Sequence, residues 1–385
     1  MDTVKIGIVG VGNMGFGHMR GIWEGKEGLT LTAVCDIDEK RLEAAKGVAG
    51  DAIAYYTDYK AMLASGLIEA VLVAVPHYSH VQIAVDAFEK GLHVLCEKPA
   101  GVYTKDVRRM NEAAKKSGKV FSMMYNQRTN PVYKKVRDLV QSGELGDLKR
   151  TSWIITNWYR PQAYHDSSTW RSTWSGEGGG ALINQCPHQI DLMQWICGMP
   201  VSVSAHVKFG SYYNIEVEDD VTAYFSYANG ATGTFITSTG EWPGTNRFEI
   251  AGTMGRIVVE NNCIQFSRLR EDEREFNKKN TSPFGKPEVW ECKVDAPGEN
   301  PAHGGIRKNF ANAILKGEQL IAPGEEGIRG LTVSNAIHMS AWLGKEIALP
   351  LDEDMYYNLL QEKIQKSTFK KNAATGVVSD LKGTY

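Results

Sequence analysis

Three short stretches of the chain carry residue types that could do chemistry together. The first is Gly10-Val11-Gly12-Asn13-Met14-Gly15, a G-x-G-x-x-G directly after an apolar run and directly before a helical pattern. Its first glycine permits a tight turn, its second lets backbone N–H groups approach a pyrophosphate, and its third lets helix pack on strand. Asn13 and Met14 lie at the mouth of that turn. Asp36 stands twenty-one positions after Gly15, at the end of the next apolar run. A carboxylate there accepts hydrogen bonds from a ribose 2′-hydroxyl and repels a 2′-phosphate, which favours NAD over NADP. Lys40 and Arg41 stand close enough to leave some affinity for NADP. The second stretch is Glu97-Lys98-Pro99, where a proline stiffens a lysine able to hold or exchange a proton. Taken alone, Lys98 is more often an ordinary solvated lysine. The third runs from Gly178-Gly179-Gly180 through Asn184 and Pro187 to His188 and Asp191. Pro187 suits the first helical position, so His188 falls in the first turn, where the helix dipole disfavours imidazolium and leaves a neutral base. Asp191, three residues on, is expected to orient that ring. A capping histidine on a core helix is the plainer alternative.

These residues need elements to hold them. Val4–Val9, Leu31–Cys35, Ala70–Val75, His93–Cys96 and Val120–Met124 are continuous apolar runs, the pattern of strands buried on both faces. Helical patterns over Glu39–Ala49, Val81–Lys90 and Thr104–Ser117 alternate with them. The alternation predicts an α/β doubly wound sheet over residues 1–125, with ligands at the carboxyl ends of its strands. Pro76 and His80 belong to such an edge, after the run ending at Val75. Ser79 with Gln82 forms a capping box there, and His80 is either a cofactor contact or a cap.

From about Lys149 short strands follow one another: Lys149–Thr156, Val201–Gly210, Val221–Tyr227, Thr232–Thr239, Phe248–Ala251 and Arg256–Val259. One helix, Pro187–Cys197, interrupts them. The pattern predicts an α+β second domain over 126–365 with a large, mostly antiparallel open sheet. Residues 271–287 are expected to be an exposed loop and 366–385 a polar tail. Residues 153–174 hold four of the nine tryptophans (Trp153, Trp158, Trp170, Trp174) with Tyr159, Tyr164, Arg160 and Arg171. Aromatic faces suit the C–H faces of sugar rings, and Arg160 and Tyr164 offer polar ends for hydroxyls. A subunit interface would use the same residues.

Composition narrows the classes. Lys+Arg 43 against Asp+Glu 45 leaves a net charge of −2, so no basic field serves nucleic acid or an anionic membrane. No apolar run reaches membrane length, and no secretory leader is evident. The six cysteines include no C-x-x-C and metal spacings are missing, so reduced thiols, a cytoplasmic location and no metal are expected.

G-x-G-x-x-G, E-K-P about ninety residues on, and G-G-G-(x)7-H-x-x-D together resemble the glucose–fructose oxidoreductase/inositol dehydrogenase (Gfo/Idh/MocA) family. The resemblance covers nearly the whole chain. It implies a Rossmann domain joined to an α/β domain whose open sheet forms a homo-oligomer interface, with NAD as cofactor and a sugar or polyol as substrate. It implies that Lys98 is the catalytic lysine holding the reacting hydroxyl and His188 the catalytic histidine. It places Glu97, Met124 and Trp170-Arg171 beside the cofactor, and Asn126 and Asn184 beside the substrate. Many relatives carry aspartate where this chain has Asn184. An amide cannot take a proton, so the acid–base role falls to His188 with Lys98, and Asn184 positions substrate. The run Asn184–Gln189 is also similar to a subgroup that includes glycoside 3-dehydrogenases. The expected activity is NAD-dependent oxidation of a secondary hydroxyl of a sugar, glycoside or cyclitol. An NAD-dependent glycosidase and a dinucleotide-sensing sugar regulator are the alternatives.

Overall fold

In the computed structural model, which describes residues 3–25 and 27–367, two sheets share the chain. The first comprises β1 (Val4–Val9), β2 (Leu29–Cys35), β3 (Ala54–Tyr56), β4 (Ala70–Val73), β5 (His93–Cys96) and β6 (Phe121–Met123). All are parallel, in the order β3-β2-β1-β4-β5-β6. The order reverses between β1 and β4, which opens a crevice at their carboxyl ends. Ile6, Ile8, Leu72 and Val73 are fully buried, as continuous apolar strands covered on both faces require. β3 escapes sequence reading because its three residues are only half-buried at the sheet edge.

Register carries the site. Val9 pairs with Cys35 and with Val73, Val73 with Cys96, and Cys96 with Met123. The residues that follow these strand ends (Gly10, Asp36, Glu97 and Met124) therefore emerge side by side along one edge of the sheet.

The second sheet holds β7 (Leu148–Ile155), β8 (Ser202–Phe209), β9 (Glu218–Ser226), β10 (Thr232–Ser238), β11 (Asn246–Gly252), β12 (Gly255–Glu260), β13 (Cys263–Leu269), β14 (Val289–Val294) and β15 (Ile347–Ala348). Its order is β14-β13-β12-β11-β7-β10-β9-β8-β15, antiparallel apart from the β7–β10 pair. Trp153 on β7 is fully buried and stacks on Phe248 at 4.2 Å between ring centroids. The helix Gly327–Leu343 joins the layers: Leu331 packs into the core of the first sheet, and Val333 and Ile337 into that of the second. The helix Ala302–Lys316 returns to the first sheet, burying Ile306, Phe310 and Ala311 there. We propose a division near residue 125, with this returning helix an exception to it.

Part of the expected loop over 271–287 is a helix, Glu273–Lys279. Asp272 caps it, Glu273 and Glu275 occupy its first turn and Lys278 and Lys279 its last, so end electrostatics hold it with no buried residue. The expected tail lies outside the described residues from 368 onward.

Candidate active site

The glycine loop is shaped by close approaches. Gly10 has φ +88°, and a side chain on it would meet the Ala74 carbonyl at 2.4 Å. A side chain on Gly15 would meet the Gly10 carbonyl at 1.8 Å, so strand and helix touch through backbone alone. The helix Asn13–Glu24 starts there, with Gly12 at its N-cap and no side chain capping its N–H groups. Those N–H groups and the helix dipole remain for phosphate oxygens. Asp36 is buried; its carboxylate accepts the Val11 N–H at 2.8 Å and the Asp38 N–H at 3.0 Å. Arg41 Nη1 stands 3.5 Å from the same carboxylate.

Asp36 and Arg41 make opposing demands on a ribose. The wild-type chain is expected to prefer NAD, because the carboxylate repels a 2′-phosphate. Asp36→Ala is expected to weaken NAD binding about 10–100-fold, the scale of losing a hydrogen bond to a charged group. The same change leaves Arg41 to receive a 2′-phosphate, so the preference narrows. Fluorescence titration with NADH and NADPH checks this; tighter NADPH binding by the unmodified chain would contradict it.

His77–Ser79 form a short 3-10 turn, and Ser79 makes no capping hydrogen bond. The expected capping box is therefore absent, and Gln82 instead donates to Asp86 at 2.6 Å. His80 lies between two carbonyls, Nδ1 2.7 Å from Pro99 O and Nε2 2.7 Å from Val75 O. It ties the loop bearing Pro76 to the loop bearing Lys98. Trp170 meets this edge from the second domain, its ring 5.5 Å from that of His77.

Lys98 Nζ donates to the Asn184 backbone carbonyl at 2.9 Å. That carbonyl lies in the π-helical turn Ala181–Gln185, just before the helix that opens at Pro187. Glu97 Oε2 accepts the Lys98 N–H at 3.0 Å, and Glu97 Oε1 takes the His18 Nε2 proton at 2.6 Å. Burial opposes the charge on Glu97, but the His18 hydrogen bond and nearby positive groups carry its carboxyl down to about 2. Arg307 donates to His18 Nδ1 at 2.9 Å, which fixes the His18 tautomer. Ligand atoms of His18, Glu97 and His303 lie within 4.8 Å of one another, and the adjoining guanidinium opposes a cation there.

His188 sits in the first turn of the helix Pro187–Cys197 and is buried. Burial, with the Lys98 ammonium beside it, holds its imidazole neutral well below the usual histidine range. Tyr125 meets its ring edge-on at 6.1 Å. Asp191 does not orient it as its spacing suggested. Its carboxylate is held by Arg128 at 2.8 Å and 2.7 Å and by Gln194 at 3.0 Å. Arg128 also pairs with Glu326, so this buried ion cluster anchors the helix that carries His188.

Of the aromatic segment, Trp153 and Trp174 are core residues, because inward positions of β7 and the packing around Trp342 claim them. Trp158 and Trp170 are half-buried, Trp158 against the core of the second sheet and Trp170 against His77. Tyr164 Oη accepts from Arg171 at 2.8 Å and from Gln185 at 3.1 Å, and the Arg160 guanidinium lies 5.1 Å from its ring. Met124 is fully buried and bonded to Cys96 O. Asn126, also fully buried, has a side-chain amide with no hydrogen-bond partner among the described residues. A phosphate-ready helix and a ribose-ready carboxylate near β1 and β2, with an orphaned amide after β6 on the same sheet, fit a dinucleotide laid along that edge with its nicotinamide end near Lys98.

Residues 4–125 match the model of an oxidoreductase family with an NAD-binding Rossmann fold, and residues 133–258 match the Gfo/Idh/MocA C-terminal domain. The chain belongs to the Gfo/Idh/MocA family. Its first domain is NAD-binding, and its relatives include sugar and cyclitol dehydrogenases. The rhizopine catabolism protein MocA of Rhizobium meliloti is 32% identical over 199 residues, 51% of this chain and 58% of that protein. Inositol 2-dehydrogenase of Salmonella paratyphi B is 28% identical over 201 residues, 50% of this chain and 54% of that one. These matches thus span only a little over half the length of the curated relatives. The crystal structure of the WlbA dehydrogenase from Bordetella pertussis with NADH and UDP-GlcNAcA superposes with a TM-score of 0.77 and 26% identity, covering 91% of this chain and 100% of that one. No helix of the described residues is long and apolar enough to cross a membrane.

Sequence reasoning missed Glu177, which lies beside Asn184, and the His18–Arg307 pair. A carboxylate inside the glycine-rich run Gly176–Gly180 was the available sign of the first. The second joins residues 289 positions apart and leaves no local sign.

Proposed function

We propose that this chain is an NAD-dependent dehydrogenase that oxidises a secondary hydroxyl of a sugar, glycoside or cyclitol. The observation that carries the reading is the meeting of Lys98 and Asn184 at the carboxyl edge of the first sheet, Nζ to carbonyl 2.9 Å, beside a histidine held neutral. Bound NAD would supply the hydride acceptor. Lys98 holds the reacting hydroxyl oxygen by an ammonium hydrogen bond and stabilises the alkoxide character that develops there. His188 is neutral and close to the lysine's charge, so it takes the hydroxyl proton. Asn126, Arg160, Tyr164 and Asn184 give the neighbouring hydroxyls polar partners, and Trp158 and Trp170 give ring faces a surface. Half-exposed aromatics on the open sheet, Tyr224 among them, support a homo-oligomer through that face. Retention of the lysine and histidine favours an enzyme over a sensor of dinucleotide.

Mass spectrometry after incubation with NAD and a panel of free sugars, cyclitols and methyl and aryl glucosides tests the reading. A product lighter by a pair of hydrogens is expected. Released aglycone without a ketone would replace this reading with the glycosidase route.

A further inference from the structure

Asn184 stands where many relatives carry a carboxylate, yet a carboxylate is still present one contact away. Glu177 is buried, 2% exposed, and Asn184 Nδ2 donates to its Oε1. Its Oε2 accepts the Ser172 N–H at 2.5 Å. Both carboxylate oxygens of Glu177 thus act as acceptors, and an acceptor obliges the Asn184 amide to turn its NH2 inward. The second proton of that NH2 points toward Tyr164 Oη at 3.5 Å. Asn184 Oδ1 accepts no hydrogen bond among the described residues, and the residue is half-buried on the same turn whose carbonyl holds Lys98.

We propose that Glu177 is a positioning and specificity-determining residue, which locks the Asn184 amide so that Oδ1 faces the substrate as an acceptor. Resting on the dehydrogenase reading, this assigns a substrate class to the position. The group beside the reacting carbon is a donor, a free hydroxyl, and a carbonyl or carboxylate there is rejected because two acceptors would face each other. Glu177 itself stays behind Asn184 and touches the substrate only through it.

The assignment makes a reversal testable. In Glu177→Gln, the side-chain carbonyl keeps the Ser172 N–H and the new NH2 faces Asn184. The Asn184 amide must then turn its Oδ1 inward and present a donor to the substrate. KM for methyl β-glucoside and myo-inositol is expected to rise about 10-fold with a smaller change in kcat, the scale of one reversed hydrogen bond. The double variant Glu177→Gln with Asn184→Asp restores an outward acceptor and an inward donor–acceptor pair, so KM is expected to recover. A lost activity in Glu177→Gln that the double variant does not rescue would overturn the proposal.

A second readout needs no substrate. Asn184→Asp alone sets two carboxyls against each other in a buried place, which raises the folded-state pKa of one of them. A raised carboxyl costs stability progressively as pH climbs from its unfolded value toward its folded one. The thermal midpoint of Asn184→Asp, relative to wild type, is therefore expected to fall as pH climbs above the ordinary carboxyl value of 4.5, and the double variant is expected not to show that fall. A midpoint gap independent of pH would mean the two side chains are not coupled and would overturn the proposal. Wild-type protein that oxidises no member of the sugar, cyclitol and glucoside panel would instead refute the dehydrogenase reading, while the thermal comparison would still decide the pairing.

Discussion

His188→Ala is expected to lower turnover by about 10²–10⁴-fold, the range for a positioned general base, while NADH binds almost as before. The imidazole is buried in the first turn of its helix, away from the glycine loop and Asp36, so its removal leaves the dinucleotide's partners in place. The pH dependence follows from the same burial. Only protonation disables a base, and burial and Lys98 together hold the imidazole neutral well below its ordinary 6.5. The loss of wild-type kcat/KM on acidification is therefore expected to begin below pH 6.5 rather than at it. A full rate in His188→Ala, with the acid limb of the wild type unchanged in the variant, would return His188 to a core histidine.

Lys98→Ala is expected to lower turnover by about 10²–10⁴-fold as well, with only a small change in thermal midpoint. Nζ of the half-buried lysine donates to a backbone carbonyl, so its removal strips the reacting hydroxyl of a cation while the strands and helices that carry the site keep their own packing. Lys98→Arg is not expected to rescue the rate. A guanidinium is a wider, planar fork, and the turn that presents the Asn184 carbonyl is cut for a compact ammonium. Parallel kinetics and thermal melts separate the two effects. An unchanged rate with a large loss of stability would make Lys98 a structural tie between the domains.

The edge of the first sheet was legible because burial on both faces demands continuous apolar strands, and the chemistry begins at the residue after each one. Gly10, Asp36, Glu97 and Met124 follow strands that pair in register, which is why ordered motifs far apart in sequence meet. Spacing within one helix was less informative. Asp191 lies one turn from His188, yet Arg128, from a turn between the two domains, claims its carboxylate with two hydrogen bonds. The tryptophans divided for a similar reason. Composition marked a cluster over 153–174, but strand alternation turns Trp153 into the core against Phe248, while Trp170 meets His77 at the sheet edge. The network behind the lysine had no signature at all, since His18, Glu97 and Arg307 come from three distant elements and meet only through packing.

The central claim is that Lys98 and His188 together drive oxidation of a sugar-type hydroxyl by NAD. The near-ultraviolet absorbance of reduced nicotinamide, followed while purified protein, NAD and the panel of sugars, cyclitols and glucosides are mixed, tests it most directly when wild type, Lys98→Ala and His188→Ala are run side by side. The account predicts a rise with at least one polyhydroxylated compound for the wild type and almost none for either variant. A wild type that binds NADH but produces no rise across the panel, or a rise that both variants retain, would contradict it.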